Sequence, residues 1–93
     1  MSTIALTESN FDREVNNSTL PVLVEFGDTH CIDGVSAQLS KTMKCCKVSG
    51  NASALERRYH IRGVPTLLVF KGGKVTDTIF GAIKTEQVLK ILQ

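Results

Sequence analysis

Apolar residues in this chain fall into two patterns, near-continuous runs and positions spaced three or four apart. Two near-continuous runs, 22–26 and 64–70, are typical of strands covered on both faces. Residues 75–80 follow the glycine-rich turn 71–74, which predicts a hairpin with the second run. Residues 45–48 predict one more short strand.

Four other segments combine helical spacing of apolar residues with a polar residue suited to a helix start, which predicts four short helices. The first begins near Thr7, the second near Cys31, the third at the capping box formed by Ser53 and Glu56, and the last at Thr85. The third reaches Tyr59. In the other three, the residues expected to face inward are Phe11 and Val15; Val35, Leu39 and Met43; and Val88, Leu89 and Leu92.

The order of these elements is helix, strand, helix, strand, helix, strand, strand, helix. This order predicts an α/β fold in which a mixed central sheet of about four to five strands is flanked by helices on both faces. Ninety-three residues suit one domain, 1–93, because chains usually divide only beyond about 250 residues.

Composition narrows the function classes. The chain is 42% hydrophobic and 22% charged, which argues against disorder, and it has no apolar run of the roughly 20 residues that a membrane helix needs. Eleven basic and nine acidic residues give a net charge of +2, too balanced to indicate nucleic acid or an anionic membrane as partner. We expect a monomer.

The three cysteines, Cys31, Cys45 and Cys46, favour reduced thiols over a disulfide scaffold, because such scaffolds carry even and denser sets. No signal sequence is recognisable at the N-terminus, and we therefore expect a cytoplasmic protein. Together with His30 and His60 these thiols lack the close paired spacing of a zinc site, so no metal and no cofactor are expected.

Cys31 is the candidate nucleophile. It follows a central strand and a short loop at the expected first turn of a helix, where backbone N–H groups and the helix dipole lower a thiol pKa below about 8.5. A protonated His30 would favour the thiolate, and Asp33 would oppose it. The alternative is an inert buried cysteine.

Glu25 lies inside an apolar strand and shares a strand face with Leu23 and Gly27. A desolvated carboxyl group has a raised pKa and can move protons near neutral pH. An outward-facing residue is the alternative. Cys45 and Cys46 are adjacent in a strand and point to opposite faces, so we expect one in the core and one half-exposed.

Three stretches of the sequence match a known family. They read Pro-Val-Leu-Val-Glu-Phe at 21–26, Phe-Gly-Ala at 80–82 and, the most specific, Tyr-His-Ile-Arg-Gly-Val-Pro-Thr-Leu-Leu-Val-Phe-Lys-Gly-Gly at 59–73. With them the chain resembles the thioredoxin family over nearly its whole length. The stretch 21–26 is similar to that family's strand before the active site, and 80–82 to the turn before its last helix.

The resemblance implies roles for individual residues. Glu25 takes the place of a buried aspartate that assists proton transfer. Pro65 becomes a cis-proline facing the reactive cysteine, and Val64 and Pro65, with His30 next to the thiol, become the substrate-binding residues. Cys31 and Glu25 are then the catalytic residues.

The active-site motif departs from the family. The family pattern is Trp-Cys-Gly-Pro-Cys, whereas this chain has His-Cys-Ile-Asp-Gly at 30–34, so that Gly34 replaces the second cysteine. Because a dithiol enzyme leaves its mixed disulfide through that second thiolate, Cys31 needs another thiol for release. Glutathione, a partner thiol, or Cys45 or Cys46 as a resolving thiol would serve.

We therefore expect a monothiol thiol–disulfide oxidoreductase acting on protein disulfides or thiols, with thioredoxin reductase or glutathione as reductant. The alternative is a redox-inactive protein-binding module of the same fold. A third, weaker alternative is a glutathione-using or cluster-carrying protein similar to the monothiol glutaredoxins.

Overall fold

The computed structural model describes residues 3–27, 34–35, 38–39, 41–48, 53–63, 65–81 and 84–92. Five strands form one sheet in the order β1-β3-β2-β4-β5. They are β1 (Ile4–Leu6), β2 (Val22–Phe26), β3 (Lys44–Val48), β4 (Thr66–Lys71) and β5 (Lys74–Phe80). β1, β3 and β2 run parallel, and β4 and β5 pair antiparallel, so the predicted mixed sheet is confirmed.

Helical segments connect the strands. Asp12–Asn16 is a short π-helix, residues 34–35 and 38–39 are helical and are called here the middle helix, and α1 (Ser53–Arg58) and α2 (Thr85–Leu92) follow. Two details of the prediction were wrong. Met43 lies in the bend before β3 rather than in the middle helix, although its side chain is buried in the same cluster as Val35.

Thr85 is the second detail. It is the first residue of α2 and not its cap, because Lys84 precedes the helix and its backbone N–H donates a 2.8 Å hydrogen bond to Gln87 Oε1. This bond is the glutamine half of a capping box centred on Lys84. Lys84, and not Thr85, therefore occupies the cap position of α2.

Two hydrophobic clusters cover the two faces of the sheet. The α1-side core contains Phe11, Val15, Leu55 and alternate residues of the central strands, and Tyr59 packs against it. The α2-side core contains Val35, Met43, Val88 and the other alternate set. Both faces of β2 are covered, which explains why all five of its residues are buried, as a near-continuous apolar run predicts.

Aromatic rings and charges hold the π-helical segment onto the sheet. The rings of Phe11, Tyr59 and Phe70 lie 5.3 to 5.9 Å apart, in tilted and edge-to-face pairs. Lys44 Nζ forms a 2.8 Å ion pair with Glu14 Oε1, which fastens this segment to the start of β3. The Lys44 ammonium holds the pKa of the Glu14 carboxyl below its usual value.

A Schellman motif ends α1. The N–H of Ile61 donates to the Glu56 carbonyl at 2.8 Å and the N–H of His60 to the Arg57 carbonyl at 3.3 Å. Ile61 packs against the α1-side core, which contains Leu55, as expected of the hydrophobic contact that usually accompanies this motif. His60 takes the left-handed conformation that the motif requires, with φ of 57°.

Candidate functional site

Three chain segments meet at one end of the sheet, where β2 ends, β4 begins and β5 ends. In register, Phe26 of β2 and Phe80 of β5 both stand opposite Thr66, the first residue of β4. The N–H of Gly81 donates a 3.1 Å hydrogen bond to the Pro65 carbonyl, which ties the last two segments together. This end of the sheet, marked by Gly27, Pro65 and Gly81, is called here the site end.

The predicted nucleophile belongs to the connection that leaves this end. Gly27 follows β2, and its N–H donates to the Val48 carbonyl at 3.2 Å. Cys31 and His30 belong to the stretch 28–33, which is outside the described residues. Val64 is also outside them. The roles of these three residues stay predictions. The described residues nearest to the stretch 28–33 are Gly27 before it and Gly34 after it.

Glu25 is fully buried next to the site end. It lies two residues before Gly27 with 0% of its surface exposed, which confirms its expected burial. In register it stands between Lys47 of β3 and Leu67 of β4. By strand alternation its side chain shares the α2-side face with Leu23, the face that the middle helix covers.

Lys47 was not singled out from the sequence. Alternation along β3 puts it on the same face as Cys45, but only the register with β2 brings it opposite Glu25, at the 4.7–4.9 Å spacing of neighbouring strands. Burial disfavours the charged form of a carboxyl group, so Glu25 is suited to a role in which its protonation changes during a reaction cycle.

The loop before β4 is held rigidly. Thr66 Oγ1 donates a 2.7 Å hydrogen bond to the Gly63 carbonyl, and a Cβ at Gly63 would lie 3.4 Å from the Phe80 ring. Pro65 is half-buried between them. Phe80 itself is 66% exposed, so that an apolar ring is presented to solvent beside Pro65.

Gly34 approaches α2 closely. A Cβ built on this residue would lie 2.8 Å from Thr85 Oγ1 and 2.9 Å from Thr85 Cγ2. Real Cβ atoms essentially never come closer than 3.0 Å to such neighbours, so a side chain here displaces something. No sequence pattern indicated this contact, since the two residues belong to distant segments.

The two thiols of β3 occupy different faces. Cys45 belongs to the α2-side core and Cys46 to the α1-side core, with 1% and 0% exposed. The expectation that one is half-exposed was wrong, because β3 lies between β1 and β2 and is covered on both sides. Burial raises the pKa of the Cys46 thiol to about 12, so this sulfur stays protonated at neutral pH.

The guanidinium of Arg58 is engaged in contacts within the fold. Arg58 lies over the rings of Phe11 and Tyr59 and within 3.4 Å of Asp12 Oδ1. In the part of the chain that the structure describes, no group of three or more His, Cys, Asp and Glu side chains is arranged to hold a metal ion. Among the described helices none is long and apolar enough to cross a membrane.

Comparison with known proteins agrees with this architecture. The thioredoxin family model matches residues 2–93. Thioredoxin from Porphyra purpurea is 32% identical over 93 residues, covering 89% of this chain and 87% of its own length. Thioredoxin 1 from Synechococcus elongatus is 35% identical, and the match covers 85% of this chain and 83% of the relative. The chloroplastic M-type thioredoxin from Chlamydomonas reinhardtii is 30% identical, and the match covers 96% of this chain and 71% of the relative. The chain therefore belongs to the thioredoxin family of thiol–disulfide oxidoreductases.

Proposed function

We propose that this chain is a monothiol member of its family, in which Cys31 exchanges with protein disulfides and an external thiol completes the cycle. The observation that carries the proposal is the site end itself. A buried carboxyl group, a half-buried proline and an exposed aromatic ring lie at the end of the sheet from which the chain leads on to Cys31, and the residue three positions after Cys31, Gly34, has no side chain.

The first step is attack on a protein disulfide. The Cys31 thiolate attacks one sulfur of the substrate, a Cys31–substrate disulfide forms, the substrate's S–S bond breaks, and the second substrate sulfur leaves as a thiolate that takes up a proton. The placement predicted for Cys31, at a helix start, favours its thiolate, since the N–H groups of a first turn and the helix dipole stabilise negative charge.

Docking of the substrate would use the loop before β4. His30, Val64 and Pro65 are the proposed binding residues, and the 3.1 Å hydrogen bond from the Gly81 N–H to the Pro65 carbonyl ties Pro65 to the end of β5. A preorganised loop loses little conformational freedom on binding an extended peptide. The exposed Phe80 ring offers an apolar contact to the same peptide.

Release of the substrate requires a second thiol. Cys46 is unsuited, because it faces the α1-side core and its pKa is about 12. Cys45 faces the α2-side core but stands opposite Leu23, two residues further from the site end than Glu25. We therefore assign release to glutathione. One glutathione thiolate attacks the Cys31 sulfur and frees the substrate, and a second attacks the glutathione sulfur, giving oxidised glutathione and the Cys31 thiolate.

A reduction assay on a protein disulfide tests this function, with thioredoxin reductase in one arm and glutathione with its own reductase in the other. We expect turnover in the glutathione arm, loss of it in Cys31→Ser, and nearly unchanged turnover in Cys45→Ala and Cys46→Ala. Turnover in neither arm would favour a redox-inactive binding module. Turnover with thioredoxin reductase that is lost in Cys45→Ala would instead identify an internal resolving thiol.

A further inference from the structure

We propose that Thr85 is a positioning residue that keeps position 34 free of any side chain, and thereby excludes a second thiol from the active-site turn. The consequence for catalysis rests on the proposed monothiol function, whereas the steric exclusion does not. Gly34 and Thr85 lie in the two helical segments that cover the α2-side core, so their contact sets how closely these segments approach.

Backbone conformation does not require glycine at position 34. The residue is helical, and its φ is not among the positive values found at Gly27, Gly72, Gly73 and Gly81. On helix propensity alone, alanine would be the more stable choice by about 1 kcal/mol. The reason for glycine is therefore the neighbour and not the local backbone.

Rotation of Thr85 cannot open the space. Threonine places two heavy atoms in two of the three staggered positions around its Cα–Cβ bond. Both occupied positions lie within 2.9 Å of the Cβ site of residue 34, and Thr85 Cβ lies only 3.3 Å away. Any other staggered rotamer leaves one heavy atom in at least one of the two blocked positions. A side chain at 34 must therefore move the backbone of one segment.

Serine at position 85 differs in the decisive respect. Serine has a single γ atom. That atom can take the staggered position that neither Oγ1 nor Cγ2 of Thr85 occupies, so that only hydrogen atoms point toward the Cβ site of residue 34. Valine has two γ atoms, as threonine does, and keeps the obstruction. Ser and Val at position 85 are thus a matched pair that separates the steric effect from other effects of changing Thr85.

The functional consequence concerns the segment that bears Cys31. A side chain at position 34 separates the middle helix from α2, and the displacement begins three residues after the nucleophile. We expect this displacement to disturb the helix start predicted for Cys31 and so to lower the thiolate population. The chain therefore does not recover a dithiol site by the single change Gly34→Cys.

The test measures how much Gly34→Ala changes the melting temperature in three backgrounds: the unaltered protein, Thr85→Ser and Thr85→Val. In each background the protein with Gly34→Ala is compared with the same protein without it. We expect Gly34→Ala to lower the melting temperature by about 4 °C or more, since overpacking outweighs helix propensity. The Thr85→Ser background should remove most of this loss, since only the 3.3 Å approach to Cβ remains, and the Thr85→Val background should keep the loss. Gly34→Cys should follow the same pattern.

The rate of Cys31 alkylation at neutral pH is the second readout. We expect the alkylation rate to fall at least about threefold in Gly34→Ala and to recover in Gly34→Ala/Thr85→Ser. If Thr85 affected only the stability of the fold, the reactivity of Cys31 would not need to change. A rise in melting temperature in Gly34→Ala, or equal rescue by Ser and Val, would overturn the steric proposal. An unreactive Cys31 in the unaltered protein would overturn the monothiol function and leave the melting-temperature comparison intact.

Discussion

Glu25 shows how a single residue acquires a chemical role from its surroundings. In a strand whose other members are apolar it is fully buried, which costs free energy for a charged group unless a partner offsets it. The register places Lys47 beside it. A carboxyl group kept under these conditions, two residues from the site end, is suited to transferring protons to and from the departing thiolate.

Glu25→Gln tests this role, because the amide keeps the shape and cannot titrate. We expect disulfide exchange by Cys31 to slow at least about tenfold and its rate to depend less on pH near neutrality. Glu86→Gln, which changes an exposed carboxylate on α2, is the matched control and should leave the rate unchanged. Equal rates for both variants across pH 6 to about pH 9 would remove Glu25 from the mechanism.

Cys46 provides a pH test of the core. Its thiol has an ordinary pKa of 9.0, and burial raises the folded value to about 12. Between these values the folded protein keeps a proton that the unfolded chain has released, so the free energy of unfolding falls as pH rises, by at most about 1.4 kcal/mol per pH unit. Below pH 9 the thiol contributes no pH dependence.

We therefore expect the unaltered protein to lose about 2 kcal/mol more stability than Cys46→Ala between pH 8 and about pH 10.5. Urea unfolding at both values measures this difference. Tyr59, whose pKa is also raised by burial, titrates in the same range in both proteins and cancels in the comparison. The same loss in both proteins would mean that Cys46 is accessible to solvent.

At the scale of elements, the end of α1 shows a conflict between local preference and fold. His60 adopts φ of 57°, a conformation that costs an L-residue about 1–2 kcal/mol and glycine little. It persists because the two Schellman hydrogen bonds and the Ile61 contact fix the chain there. No helical spacing or turn motif indicated a left-handed residue at this histidine.

His60→Gly should stabilise the protein by about 0.5–1 kcal/mol, since relief of strain exceeds the added entropy of the unfolded chain. Thermal unfolding should show a rise of several degrees. Arg62→Gly, two residues on at an exposed position without positive φ, should give no gain. A loss of stability in His60→Gly would show that the histidine ring makes contacts worth more than the strain.

The elements differ in how far sequence predicts them. β2 was predictable because apolar burial on both faces leaves a continuous run, and the hairpin of β4 and β5 because Gly72 and Gly73 supply the two positive φ values of its turn. β1 was not predicted, since three residues give too short a pattern. Met43 continued the spacing of the middle helix, yet the chain leaves the helix before it to enter β3.

At the scale of the whole molecule, topology assembles the site. The antiparallel pairing of β2 with β4 and of β4 with β5 brings Gly27, Pro65 and Gly81 to one end of the sheet. Individual candidates such as Glu25 and Pro65 were recognisable from strand patterns and family resemblance. The Gly34–Thr85 contact and the Lys47 neighbour were not, because each depends on the register and packing of segments distant in sequence.

The most direct test of the whole account is the pH dependence of Cys31 alkylation by iodoacetamide in the folded protein. Cys45 and Cys46 are buried, so the reaction of the folded protein reports Cys31, and peptide mass analysis locates the label. We predict alkylation at neutral pH with an apparent pKa clearly below about 8.5. A Cys31 that reacts only after unfolding, or titrates above that value, would contradict a nucleophilic thiolate at this site.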